Sequence, residues 1–172
     1  GLQSITNLVV QRRYGAGGPS AAPGRSEAAD APPRGAASAS EHGGPIIALN
    51  AHGDVVPPGD GWTHNPYGGE VVDGKLYGRA SAVSKSDFTT FTFATRAIES
   101  LRESSGVALK GGIDLLFTYD EEFGGELGPG WLLAKGLTKP DLEIAAGFGY
   151  QVVTAHNGCL QMEVTVHGKM GH

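Results

Sequence analysis

Residues 45–62 read PIIALNAHGDVVPPGDGW. Ile46, Ile47, Ala48 and Leu49 form a short run that is apolar on both faces, which suits a strand buried on both sides of a parallel sheet. Polar groups follow at Asn50, His52 and Asp54, and Pro57, Pro58 and Gly59 end any regular structure. One imidazole and one carboxylate, two residues apart, thus lie where a buried strand gives way to a loop. In open α/β sheets that is where ligands bind. Imidazole is a common zinc ligand, and a neighbouring carboxylate can take its other N–H and fix the tautomer. An H-x-D pair taken alone also suits a hydrogen bond within the loop.

The same strand-then-loop pattern recurs outward from this stretch. Leu8 to Tyr14 reads as a strand. Residues 15–44 are mostly Gly, Ala, Pro and Ser, without Leu, Ile, Val, Met or aromatic residues, and are expected to form a flexible loop. Asp73-Gly74 between Glu70-Val71-Val72 and Lys75-Leu76-Tyr77 marks a hairpin. Phe88, Phe91, Ala94 with Thr95, Ile98 and Leu101 recur at helical spacing, with Ser84 or Ser86 as the cap. A second buried strand is expected over Ile113–Thr118, ending at Tyr119-Asp120-Glu121-Glu122. A short helix is expected over Pro129–Lys135, stopped by Gly136, and a third buried strand over Leu142–Ala146. Strand, helix, strand, helix, strand implies an α/β fold, a mainly parallel sheet with helices on both faces. From Gln151 the pattern alternates around Asn157-Gly158, as in an antiparallel hairpin with one wet face. The expected division is therefore a first domain over 1–150 and the start of a second over 151–172.

Composition narrows the function. The chain has 172 residues, 18% of them charged, with a net charge of −5 and no basic stripe, so a nucleic-acid surface is not expected. No apolar stretch approaches membrane-spanning length. The single cysteine, Cys159, permits no internal disulfide and accords with a reducing, cytoplasmic setting. Two strand ends carry chemistry: His52 with Asp54, and Glu121 with Glu122. Adjacent carboxylates at a strand end point in different directions, so one can hold a metal while the other faces its water. A solvated acidic turn is the plainer reading of the same pair. There is no G-x-S-x-G motif, and no S-x-x-K ends at Lys85.

Three blocks, LNAHGDVVPPGDGWTHNPYGGEVVDGKLYGR, TYDEEFGGELGPGWLL and VTAHNGCLQMEVTVHGKMGH, together resemble the zinc peptidases and deacylases that include acetylornithine deacetylase, succinyl-diaminopimelate desuccinylase, aminoacylase and carboxypeptidase G. The resemblance implies an α/β catalytic domain binding one or two zinc ions, with cobalt or manganese as substitutes. It also implies an inserted α+β dimerisation domain and hydrolysis of amide bonds in N-acyl amino acids or small peptides. Carried over by position, His52 and Glu122 are metal ligands, Asp54 orients His52, and Glu121 is the general base. His172 matches a dimerisation-domain histidine that reaches the partner subunit's substrate. The expected whole is a homodimer, of which this chain is an N-terminal part and inactive by itself.

The chain also departs from the family pattern. The metal-bridging aspartate is replaced by Val83, two residues before Lys85, and the next acidic ligand position reads Gly147-Phe148-Gly149. Asp87 is the nearest carboxylate and a candidate substitute ligand; otherwise its charge serves the first helical turn. These departures leave a second reading open, a catalytically degenerate relative acting as a binding or assembly module.

Overall fold

The computed structural model describes residues 6–15, 43–147 and, from there on, 149, 151–155, 157, 158, 160 and 162–171. Most of the glycine-rich segment, residues 16–42, lies outside the described residues, as do Cys159 and His172.

Four strands make one sheet. β1 (Leu8–Tyr14), β2 (Ile46–His52), β5 (Gly111–Thr118) and β6 (Leu142–Ala145) lie in the order β1-β5-β2-β6. β2 runs parallel to both β5 and β6, and only β1 is antiparallel, against β5. β3 (Glu70–Val72) and β4 (Lys75–Tyr77) form a separate hairpin. Its turn residues Asp73 and Gly74 both have positive φ, as a two-residue turn of type I′ requires. The helix α1 (Lys85–Ser105) links β2 to β5, and the short α2 (Pro129–Ala134) lies between β5 and β6. The first crossover steps from β2 to β5. The second steps back past β2 to β6, and right-handed crossovers in opposite directions place their connections on opposite faces.

Side-chain contacts agree with that placement. On the α1 face, Leu49, Ile113, Leu115 and Tyr14 form the core cluster, with Phe91 of α1 packed on it and Phe88 tilted against Phe117 at 4.5 Å. On the other face, the segment after α2 closes over β5. There Asp114, fully buried, takes hydrogen bonds from Thr138 Oγ1 at 2.7 Å and Gln11 Nε2 at 3.3 Å, and pairs with Arg13.

Two elements depart from the sequence-based expectation. β6 forms, but it is not buried: Leu142 is 60% and Ile144 54% exposed. It is an edge strand, and α1 sits over β2 and β5 rather than over it. The hairpin expected over 151–166 is absent among the described residues, none of which is in a strand. Val152, Leu160, Met162, Val164 and Val166 stand exposed there. An alternating strand needs a surface to bury its apolar face, and no described residue supplies one.

An ion-pair network ties the edge strand β1 to α1. Glu99 accepts hydrogen bonds from Arg12 Nε at 2.6 Å, Tyr14 Oη at 2.8 Å and Arg102 Nε at 3.0 Å. The Arg12 hydrogen bond, more than any other influence, holds the Glu99 carboxyl down at about 2 against its usual 4.5. Burial, followed by the Glu99 hydrogen bond, pushes the Tyr14 hydroxyl up to about 12. Because Glu99 binds its proton less tightly when folded, its contribution to stability is present above about pH 4.5 and is lost as pH falls toward 2. Glu99→Gln is therefore expected to lower stability at pH 7 and to flatten the acid limb of the stability curve. Urea unfolding of both proteins at pH 7, 4 and 3 checks this; parallel pH dependences would contradict it.

Candidate metal centre

His52 and Thr118 are the last residues of β2 and β5, and they are register partners. The two strands therefore end level, and the loops after them leave from the same edge of the sheet. Gly53 continues the ladder for one more bond, its N–H donating to Thr118 O at 2.9 Å. The Tyr119 ring lies over that glycine, and a Cβ there would sit 2.5 Å from it, so a larger residue would displace the ring. Close packing of the two chains at this point brings the following residues together.

Asp54 and Glu122 lock the two loops to each other. The Glu122 N–H donates to Asp54 Oδ2 at 3.0 Å. The other carboxylate oxygen, Oδ1, is buried without a hydrogen bond in good geometry and lies 3.4 Å from His52 Nδ1. The same nitrogen lies 3.1 Å from the Asp54 backbone oxygen. Two acceptors around Nδ1 place the imidazole proton there and leave the Nε2 lone pair exposed to the site. Nε2 faces Glu121 Oε2 at 3.5 Å. A proton on Nε2 or a metal cation between the two atoms makes that approach favourable.

The turn carrying the two glutamates is a single 3₁₀ turn, Glu121–Phe123. Asp120 shapes it from a left-handed backbone conformation, φ 93°. Its carbonyl accepts the Gly125 N–H at 2.7 Å and its Oδ2 accepts the Leu127 N–H at 2.8 Å. Left-handed geometry at a non-glycine residue is costly and persists only when surroundings enforce it. One donor atom each from His52, Glu121 and Glu122 then falls within 4.8 Å of the others. One nitrogen and two carboxylate oxygens are the donor types zinc takes, and in so close a group one carboxylate can hold an ion while the other faces a water on it. These residues fit a divalent ion.

The sequence profile of peptidase family M20/M25/M40 matches residues 48–165. The chain belongs to that family. Relatives named succinyl-diaminopimelate desuccinylase include one from Methylorubrum populi, 33% identical over 150 residues, covering 75% of this chain and 35% of that protein. One from Methylorubrum extorquens is 35% identical over 151 residues, covering 75% and 36%. A shorter match, from Rhodospirillum centenum, is 44% identical over 81 residues, covering 46% and 20%. The chain spans about a third of the length of the first two of these relatives.

Within this M20/M25/M40 domain, the structure brings together His52, Asp54, Glu121 and Glu122. Asp87 is not among the gathered donors; it lies in the first turn of α1, its N–H bonded to Ser84 O. Asp87→Asn is expected to leave metal stoichiometry unchanged, as measured by atomic absorption on the dialysed protein; a lost ion would return Asp87 to the site. His172 lies outside the described residues. Lys85, the first residue of α1, is held below the usual lysine range by burial, with Asp54 acting in the opposite direction and Arg79 in the same one.

Two site residues escaped the sequence reading. Ser84 reads as a helix cap, and Asp120 as one acid among three. Only the structure shows the Ser84 hydroxyl turned toward His52 and the Asp120 backbone holding the glutamate turn.

Proposed function

We propose that the full-length protein is a metal-dependent amidohydrolase that cleaves N-acyl amino acids, with a zinc ion at the ends of β2 and β5. The observation that carries the reading is the meeting of His52, Glu121 and Glu122 at those two level strand ends. His52 Nε2 and the Glu122 carboxylate would hold the ion, with cobalt or manganese able to use the same donors. When bound, the ion supplies a Lewis acid for the scissile carbonyl and lowers the pKa of water. Asp54 keeps the proton on His52 Nδ1 and anchors the Glu122 backbone. Glu121, with its side chain 57% exposed, is open to the attacking water. It takes a proton from that water and returns it to the leaving amine.

The names of the relatives support an N-succinyl amino acid, with a second amine and carboxylate on the far side, as the substrate class. A homodimer in which His172 serves the partner's substrate belongs to the same proposal. So does a cytoplasmic setting.

Val83 and Gly147 favour a second reading. Neither carries a donor, and the resemblance gives both positions to metal-binding acids. A relative that keeps the fold as a binding module would tolerate those residues. The experiment is a chelation and reconstitution assay on the full-length protein, with N-succinyl-diaminopimelate and N-acetyl amino acids as substrates. Hydrolysis lost on chelation and restored by zinc is expected. Zinc held stoichiometrically without turnover of any of these amides would favour the binding module.

A further inference from the structure

Ser84 occupies the N-cap position of α1, yet its side chain makes no capping hydrogen bond. The hydroxyl is instead turned away from the helix. Ser84 is 0% exposed, and its Oγ accepts the His52 backbone N–H at 3.0 Å.

Strand geometry explains why that donor needs a partner. Backbone groups of successive residues point to opposite sides of a strand. Asn50 faces β6, because its carbonyl accepts the Ala146 N–H at 2.9 Å. Gly53 faces β5, bonding Thr118. His52 therefore faces the β6 side, but β6 has ended at Ala145. Its N–H points past the last ladder bond, into a buried place where an unpaired donor is costly. Ser84 takes the place of the missing strand.

We propose that Ser84 is a positioning residue of the metal centre, holding the final N–H of β2 so that the His52 ring is aimed at the ion. This inference rests on the reading that His52 is a metal ligand. Supports one bond removed from a ligand commonly change metal affinity about 10–100-fold when lost. Removing the oxygen would free residue 52 to twist, and Nε2 would move relative to Glu122.

The test uses the full-length protein, stripped of metal and titrated with cobalt(II). Ser84→Ala is expected to bind cobalt about 10–100-fold more weakly than the wild type and to shift its visible absorption bands. Ser84→Thr, which keeps the oxygen, is expected to restore both. A purely structural serine would lower the melting temperature and leave the cobalt spectrum unchanged, and that result would overturn the proposal. Hydrogen exchange at the His52 amide of the wild-type protein is a second measurement, independent of whether the alanine variant folds. Protection comparable to the interior amides of β2 is expected; rapid exchange would overturn the proposal. If the wild type took up no cobalt, the metal reading itself would fall, and this inference with it. If the wild type and Ser84→Ala bound cobalt alike, this inference alone would fall.

Discussion

Replacing Asp114 by alanine is expected to destabilise the protein by about 3–5 kcal/mol. Asp114 is fully buried in β5, and its partner Arg13 is nearly so. Burying two charges is costly, and the pair is tolerable only because each neutralises the other and the remaining lone pairs are satisfied. Thr138 Oγ1 and Gln11 Nε2 supply those hydrogen bonds. Removing the carboxylate leaves the Arg13 guanidinium enclosed without a counter-charge and the buried Thr138 hydroxyl without its acceptor, whereas Gln11 Nε2 keeps the Leu137 carbonyl at 3.0 Å. For a domain of this size each kcal/mol corresponds to about 2–4 °C in melting temperature, so a fall of more than 5 °C is expected. Thr138→Val removes one hydrogen bond and leaves the ion pair, and is expected to cost about 1–2 kcal/mol. Calorimetry on both variants checks the order. An Asp114→Ala protein as stable as Thr138→Val would show that the pair is solvated rather than buried.

The second large effect concerns the chemistry. Glu121→Gln in the full-length protein is expected to lower hydrolysis by about 10²–10⁴-fold, the usual loss when a general base is removed. Zinc should remain bound, because glutamine keeps the shape of the turn and His52 and Glu122 are untouched. Glu122→Gln is expected to release the metal instead. The two residues are adjacent but unequal in their backbone ties. The Glu122 N–H is fastened to Asp54, whose carboxylate also attends His52. That shared support couples the Glu122 backbone to the imidazole, while the Glu121 side chain, 57% exposed, reaches His52 Nε2 at 3.5 Å from the solvent side. Metal analysis and single-turnover rates on both variants decide the matter. Loss of zinc from Glu121→Gln with retention in Glu122→Gln would reverse the two roles.

The legible parts of the fold were those governed by short-range periodicity. The apolar runs at 46–49 and 113–118 mark strands that extend in the structure to Ile46–His52 and Gly111–Thr118, Leu8–Tyr14 forms the strand expected there, and Asp73-Gly74 marks the hairpin at 70–77. The helix over 85–105 was legible from its stripe of Phe88, Phe91, Ile98 and Leu101. The positions of His52 and Glu121-Glu122 at strand ends were legible for the same reason. Their closeness in space was not, since it depends on β2 and β5 ending level, and register is a tertiary property. Burial was misread where it depended on neighbours. The run 142–146 looks like a core strand because its residues are apolar, but its place at the sheet edge leaves Leu142 and Ile144 exposed. The alternation at 160–166 looks like a strand, but alternation states only which face would be buried, not what would bury it. Ser84 stands at the N-cap position that the sequence suggests, but its hydroxyl makes no capping bond, because a strand end 32 residues earlier in sequence claims it. Asp114 passed unnoticed inside an apolar run, its significance lying in Arg13 across the antiparallel pair.

Anomalous X-ray scattering at the zinc edge, recorded on crystals of the zinc-loaded full-length protein, locates the ion relative to the two strand ends. A peak is expected within bonding distance, about 2.0–2.2 Å, of both His52 Nε2 and a Glu122 carboxylate oxygen. His52 Nδ1 should still face Asp54, and Ser84 Oγ should still hold the His52 amide. A zinc ion bound away from the ends of β2 and β5, or attached through Nδ1 of His52, would contradict that placement.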